Sequence, residues 1–150
     1  MENSYYRVMA LDYGEVRIGI AMSDVTRFLA SGYENYTRVG LQKDCEHIAE
    51  IIKNNNVRLL VIGLPINMNG TKGERVDKTY QFANELSKYV DVKIDYLDER
   101  ITSISAEKIL ISADLSRKKR KDVLDKLSAT IILQDYLDAN SGKILLEGEF

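Results

Sequence analysis

Short apolar runs alternate with turn residues at the start of the chain, in the manner of β-strands. Two such runs flank a turn that contains Gly14, and this pattern predicts a hairpin with strands at about 7–11 and 17–23. A third segment, at about 30–39, carries tyrosine, threonine and valine, which are favoured in strands. The chain is therefore expected to begin with an antiparallel meander of three strands.

Helical and extended patterns alternate after this meander. Apolar residues recur at helical spacing in 42–54, and the continuous apolar run Leu59–Ile62 is typical of a strand covered on both faces. Thr71 and Glu74 stand three residues apart, as in a capping box, and predict a helix that begins near Thr71. The remaining predicted elements are a strand at about 92–97 and two helices at about 102–111 and 121–138.

This order of elements predicts an α/β fold with a mixed five-stranded sheet and helices on both faces. The first strand would lie centrally, so its carboxyl end, at Asp12, would open into the crevice where such sheets bind ligands. A chain of 150 residues has the length of one ordinary domain. We therefore expect a single domain over residues 1–150.

Composition narrows the classes of protein that fit. No apolar run approaches the roughly 18 residues of a membrane span, and the polar start lacks an apolar signal region, so a cytoplasmic protein without membrane contact is expected. Cys45 is the sole cysteine and His47 the sole histidine, which excludes an intrachain disulfide and a site with two His ligands from one chain. The net charge of −2 argues weakly against a nucleic-acid partner, although Arg117–Lys121 is a run of five cations.

Carboxylates stand where the predicted elements begin or end. Asp12 closes the first strand, Asp98 and Glu99 close a later one, and Asp125 lies in an otherwise apolar helical stretch. Clustered anions repel one another unless protons or cations intervene, and a cluster of oxygen ligands suits Mg²⁺ or Mn²⁺. If the fold gathers these acids, the pattern indicates metal-dependent hydrolysis of phosphodiesters.

The same residues also fit structural roles. Asp12 suits a turn in which Gly14 supplies a positive φ, and Asp98–Arg100 suits a surface ion-pair cluster. The macrodipole favours acids in the first turns of a helix, although it explains Asp125, one turn deeper, less well. Adjacent strand residues face opposite ways, so only one acid of the pair at 98 and 99 would enter a given site, and periodicity leaves open which.

Four segments, taken in order, carry a family resemblance. They are Leu11–Gly14 with Arg17 and Gly19, Gly63–Thr71, Asp98–Arg100 with Thr102, and Asp125 with the segment Ser128–Gln134. Together they resemble the pre-16S rRNA nuclease family, also described as YqgF-type or Holliday-junction-resolvase-like proteins, over about residues 8–138. The resemblance implies a ribonuclease H-like fold and a catalytic site of Asp12, Glu99 and Asp125, which selects Glu99 over Asp98. It also implies processing of the 5′ end of the 16S rRNA precursor.

We further expect these three acids to form a site with two divalent ions, Mg²⁺ or Mn²⁺. Asp12 would bridge the ions, and Glu99 and Asp125 would complete their shells. Cationic residues on the chain are candidates for contacts to a nucleic-acid backbone, and these candidates are Arg17, Arg100, Lys118, Lys119 and Arg120. The expected partner is structured RNA or branched DNA, and the expected state is a monomer or a homodimer.

Three alternatives fit the same sequence. The first is a DNase that resolves Holliday junctions, and the second is a structured-RNA-binding protein with an inert site. The third is an actin-like nucleotide-binding protein, because the loop from Asp12 to Gly19 resembles the phosphate-binding hairpin of actin-like kinases. Such proteins generally need two domains of this kind, whereas this chain has length for one.

Overall fold

The computed structural model describes residues 5–99 and 127–140. Several of the predicted features therefore lie outside the described residues: Arg100, the helix at about 102–111, the cationic run with Lys118, Lys119 and Arg120, and Asp125. Within the described residues, no helix is both long enough and apolar enough to cross a membrane.

The described elements follow the predicted order of strands and helices. In chain order they are β1 (Arg7–Tyr13), β2 (Arg17–Ser23), β3 (Ala30–Thr37), α1 (Leu41–Asn54), β4 (Val57–Leu64), α2 (Glu74–Leu86), β5 (Lys93–Asp98) and a helix at residues 127–140, which we call α3. The five strands form one sheet in the order β3-β2-β1-β4-β5. β1 is central, antiparallel to β2 and parallel to β4, and β4 is parallel to β5. The predicted mixed five-stranded sheet is thus confirmed.

Apolar side chains cover both faces of this sheet. Met9 and Leu11 of β1 pack with α1 and α2, whereas Val8 and Ala10 pack with α3 on the opposite face. This alternation along β1 is the period of two that a strand imposes on its side chains. A strand buried on both faces has no polar face, which explains why its sequence reads as a continuous apolar run.

Hydrogen bonds also hold α3 against the sheet. The Gln134 side chain accepts from the Ala30 backbone N–H at 2.9 Å and donates to the Phe28 carbonyl at 3.0 Å. Tyr136 donates its hydroxyl to Asp95 of β5 at 2.8 Å. These contacts fix the helix across both halves of the sheet.

The carboxyl ends of four strands meet at one edge of the sheet, which we call the carboxyl edge. β1, β4 and β5 are parallel and end there, and β3 ends there too, because Arg38 beyond it donates its N–H to the Val16 carbonyl at 2.9 Å. The β1–β2 turn and the loop from Pro65 to Gly73 leave from the same edge. Ligands of open α/β sheets bind at this kind of edge.

Two local predictions are wrong. α2 begins at Glu74 with Gly73 as its N-cap, so Thr71 and Glu74 form no capping box, and the Thr71 hydroxyl instead donates to Asn69 at 2.7 Å. Gly14 does not have the positive φ that was predicted for it. Its position excludes a side chain for another reason: a Cβ there would lie 2.6 Å from the Arg17 carbonyl oxygen.

Candidate active site

Asp12 and Glu99 lie on the same face of the sheet at its carboxyl edge. β1 extends beyond Leu11, its predicted last residue. Alternate residues of β1 face α3, so Asp12 lies on the same face as Val8 and Ala10. Leu97 of β5 also packs on the α3 face, and Glu99 stands two residues beyond it. The Glu99 N–H donates to the Leu64 carbonyl at 3.1 Å, so the chain keeps its place beside β4 at this point.

The same alternation separates Asp98 from Glu99. Ile94 and Tyr96 pack on the face of α1 and α2, and Asp98 continues that series along β5. Neighbouring residues of a strand point to opposite faces of the sheet. The strand therefore directs Glu99, rather than Asp98, towards the face of Asp12.

Gly63 of β4 makes the space between the two acids. Gly63 lies in β4, the strand between β1 and β5, and it pairs in register with Leu97 of β5. A Cβ at this position would lie 2.7 Å from Cγ and Cδ of Glu99 and 2.7 Å from Cδ1 of Ile132 on α3. The missing side chain therefore lets the Glu99 carboxyl fold over the strand, beneath α3.

The two carboxyl groups interact directly. Burial, the negative charge of Asp12 and a side-chain hydrogen bond with Asp12 together hold the pKa of Glu99 well above its ordinary value of 4.5. The positive charge of Arg75, on α2, acts in the opposite direction and lowers it. Two carboxyl groups this close share a proton or need a cation, because both cannot ionise at little cost.

The donor set suits a hard divalent cation. Two carboxylates at a partly buried edge supply the oxygen ligands that Mg²⁺ and Mn²⁺ prefer, and a cation there would offset the repulsion that raises the pKa of Glu99. Over residues 5–99 and 127–140, no group of three His, Cys, Asp or Glu side chains is close enough to hold a metal ion. The third predicted ligand, Asp125, lies outside those ranges.

The remaining predicted site residues are partly described. Arg17 begins β2 at the carboxyl edge, where its carbonyl accepts from the Gly14 N–H at 2.9 Å, and its contact with a nucleic acid stays a prediction. Arg100, Lys118, Lys119 and Arg120 lie outside the described residues. The sequence did not identify Arg75 as a residue near the acid pair. Its one indication was a cationic position in the predicted helix that follows the Gly63–Thr71 segment.

The chain matches a family of known proteins over nearly its whole length. A profile of the family described as "RuvX: Holliday junction resolvase" matches residues 6–139. A protein of Syntrophomonas wolfei named "Putative pre-16S rRNA nuclease" is 47% identical over 135 residues, which cover 90% of this chain and 96% of that protein. A protein of the same name from Halalkalibacterium halodurans is 48% identical over 134 residues, 88% of this chain and 96% of that protein.

Solved structures share the architecture at low sequence identity. Thermus thermophilus RuvC, solved in complex with a Holliday junction substrate, has a TM-score of 0.57 at 9% identity, with 91% of this chain and 97% of that chain covered. The large terminase nuclease of the thermophilic phage G20c has a TM-score of 0.52 at 11% identity, with 87% and 81% covered. The fold is ribonuclease H-like, as the sequence predicted.

Proposed function

This chain belongs to the RuvX family, described as Holliday junction resolvases, and we propose that it processes the 5′ end of the 16S rRNA precursor. It is a nuclease, a hydrolase of phosphodiester bonds, as its family and its named relatives indicate. The choice of RNA rests on the names of relatives that are 47–48% identical to it. With such a substrate, the protein would act in the cytosol. We propose that residues 1–150 form one catalytic domain.

The juxtaposition of Asp12 and Glu99 above Gly63 is the observation that supports a catalytic site at this edge. Asp12 lies in β1 and Glu99 directly follows β5, and β4, which lies between these two strands, has no side chain at Gly63, beside the Glu99 carboxyl. Burying two acids together destabilises a fold unless they share a proton or bind a cation. We therefore assign Asp12 and Glu99 to catalysis.

Asp125 completes the proposed site by its position in the sequence. It stands four residues before Ala129 and seven before Ile132, which are the spacings at which residues share one face of a helix. Ala129 and Ile132 are fully buried against the sheet. Ile132 lies directly over Gly63, where a Cβ would be 2.7 Å from its Cδ1. A helix that began before residue 125 would direct its carboxylate towards Glu99.

The proposed mechanism needs no side-chain nucleophile. Two divalent ions, Mg²⁺ or Mn²⁺, would supply an activated water and stabilise the leaving oxygen when bound. The carboxylates of Asp12, Glu99 and Asp125 would hold these ions in place. The buried side chains of α3, with Ile132 nearest, cover one side of the acid pair and limit the entry of bulk water. Low local solvation strengthens the electrostatic interactions of the carboxylates with cations.

Asp12→Asn tests this assignment, because asparagine keeps the shape of the side chain and removes its charge. Cleavage of a 16S precursor fragment with Mg²⁺ or Mn²⁺ should fall by at least about 10³-fold, with unchanged thermal melting. Glu99→Gln should behave alike, whereas Asp98→Asn, on the other face of the strand, should keep most of the activity. Full cleavage by a folded Asp12→Asn protein would refute the assignment.

The substrate is tested on the same preparations. A 16S precursor fragment should be cleaved faster than a four-way DNA junction under identical conditions. Preferential cleavage of the junction would support the resolvase alternative, which the names of the relatives do not favour. Affinity for RNA with no turnover at any metal concentration would support the alternative of an inert binding protein.

A further inference from the structure

A cationic pocket lies at the carboxyl edge, on the opposite face of the sheet from the acid pair. Its volume is about 280 Å³, and the residues that line it are Tyr13, Gly14, Glu15, Arg38, Arg75 and Lys78. Tyr13 directly follows Asp12 in β1 and packs on the face of α1 and α2. The pocket and the acid pair are therefore formed in part by adjacent residues of β1, whose side chains point to opposite faces of the sheet.

Arg38 and Tyr13 form a rigid wall of this pocket. The Arg38 Nε bonds to the Asp44 carboxylate at 2.9 Å, and one terminal nitrogen donates to the Gly14 carbonyl at 3.2 Å. The Tyr13 ring is stacked on Phe82 at 4.4 Å between centroids, and the Arg38 guanidinium covers it at 4.6 Å. Because Phe82 and the Arg38 guanidinium both pack on the Tyr13 ring, little of the ring is left for a base to stack on.

Arg75 and Lys78 are the cations that remain available. They stand three residues apart on α2, so they project from the same side of the helix, and both are exposed. Lys78 pairs with Glu74 at 3.3 Å, and this exposed ion pair is weak enough for a stronger partner to displace it easily. Within residues 5–99 and 127–140, the Arg75 side chain forms no hydrogen bond or ion pair.

The charge of Arg75 already reaches the acid pair, since it acts on the Glu99 carboxyl. Among the described lining residues, one acid, Glu15, lies in the pocket, at the exposed tip of the β1–β2 turn. An RNA strand that is bound at the acid pair and crosses the carboxyl edge would therefore meet Arg75 and Lys78 next.

We propose that Arg75 and Lys78 bind phosphates of the substrate RNA strand beside the bond that is cleaved, across the pocket walled by Tyr13 and Arg38. This inference rests on the proposed function and deepens it. Because little of the Tyr13 ring is left for stacking, binding here is electrostatic and independent of sequence. The two residues position the strand and take no part in the chemical step.

Binding without cleavage provides the test. A fluorescent single-stranded RNA is titrated with the protein in EDTA, at several salt concentrations, and the dissociation constant is read from anisotropy. Arg75→Gln with Lys78→Gln should weaken binding about ten-fold or more. The slope of log affinity against log salt should become shallower by about 1.4, because each phosphate neutralised on a single strand contributes about 0.7 to it.

Lys53→Gln with Lys88→Gln is the matched control. It removes the same charge, and Lys88 forms an exposed ion pair with Glu85 at 3.1 Å that resembles the Lys78 pair. Lys53 lies in the last turn of α1 and Lys88 beyond α2, both away from the carboxyl edge. An equal loss of affinity or of slope in both double variants would overturn the inference.

The outcomes separate this inference from the proposed function. If Asp12→Asn abolishes cleavage while Arg75→Gln with Lys78→Gln binds RNA like the unchanged protein, the positioning role is refuted and the catalytic assignment stands. With Mg²⁺ present, Lys78→Gln alone, which keeps the Arg75 charge near Glu99, should raise KM several-fold and change kcat little. A loss confined to kcat would also contradict a positioning role.

Discussion

Gly63 is the single residue on which the geometry of the acid pair depends most. The Glu99 side chain and Ile132 of α3 both lie within 2.7 Å of where a Cβ would be placed. A methyl group there cannot be accommodated unless Glu99 or α3 shifts. The sequence presented Gly63 only as a residue of a strand-to-helix segment, because nothing local shows that a side chain from β5 lies above it.

Gly63→Ala should therefore impair catalysis more than folding. A displacement of the Glu99 carboxyl by about 1 Å is expected to lower the cleavage rate about 10²-fold, since misplaced catalytic groups have costs of this size. The measurement is kcat on the RNA fragment, together with the melting temperature.

Gly73→Ala is the control for this substitution. A Cβ at Gly73 would be 3.5 Å from its nearest neighbour, Nδ2 of Asn67, which is an ordinary contact. Gly73→Ala should therefore keep most of the activity. Equal rates for Gly63→Ala and the unchanged protein would contradict the view that Gly63 makes room for Glu99.

At the scale of elements, Asp44 connects the end of β3 to the start of α1. One carboxylate oxygen accepts from the Tyr36 hydroxyl at 2.9 Å and from the Val39 N–H at 2.9 Å, and the other accepts from Arg38 at 2.9 Å. Burial raises the pKa of Asp44, but these hydrogen bonds outweigh it and hold the pKa below the ordinary 3.8. The same contacts fix Arg38, which forms the wall of the cationic pocket.

The lowered pKa of Asp44 predicts how stability depends on pH. A carboxyl group whose pKa is lower in the folded state stabilises fully above the unfolded pKa, and this contribution is lost as the pH falls through the folded pKa. Asp44→Asn should cost about 2–3 kcal/mol at pH 7 and flatten the loss of stability below about pH 4. Urea denaturation between pH 7 and pH 3 measures both effects.

Asp77→Asn is the comparison for Asp44→Asn. Asp77 is an exposed acid in the first turn of α2, so its replacement should change the free energy of unfolding by no more than about 0.5 kcal/mol. The explanation fails if Asp44→Asn loses stability in acid as steeply as the unchanged protein does.

The boundaries of most helices and strands could be predicted from local sequence alone. The apolar periods predicted the five strands, α1 and α2 to within a few residues, because each period reports which side chains must be buried. The predicted start of α2 was wrong because Thr71 bonds to Asn69 within its own loop. Short polar side chains serve loops as readily as helix caps, and spacing cannot distinguish the two.

At the scale of the whole molecule, the carboxyl groups of Asp12 in β1 and of Glu99, directly after β5, come together at the proposed metal site. Cations that bind this site in the folded state, and not in the unfolded chain, stabilise the fold by mass action. Mg²⁺ or Mn²⁺ at about a hundred times its dissociation constant should add about 2.7 kcal/mol, which raises the melting temperature by about 5–10 °C.

Differential scanning calorimetry with and without the metal measures this shift. Asp12→Asn should lose most of it, and a monovalent salt at matched ionic strength should not produce it. A shift of equal size in Asp12→Asn would show that the stabilising cation binds elsewhere. Removal of the metal with EDTA should return the melting temperature of the unchanged protein to its starting value.

The sequence by itself determined the class of fold and the candidates for its chemistry. Alternating and helical periods specify which residues need burial, and they require an α/β arrangement with β1 at its centre. Motifs at the ends of the strands carried the family resemblance, which the comparisons confirmed. These features are readable because they depend on residues close together in the chain.

Tertiary structure alone decided which side chains meet. Contacts between Asp12, Glu99 and Gly63 join β1, β5 and β4, and they depend on strand register and on the face that each residue takes. Arg75 and Lys78 approach the acids only because α2 returns to the carboxyl edge after β4. Spacing in the sequence carries no information on such distances, since they are set by how the sheet and its helices pack.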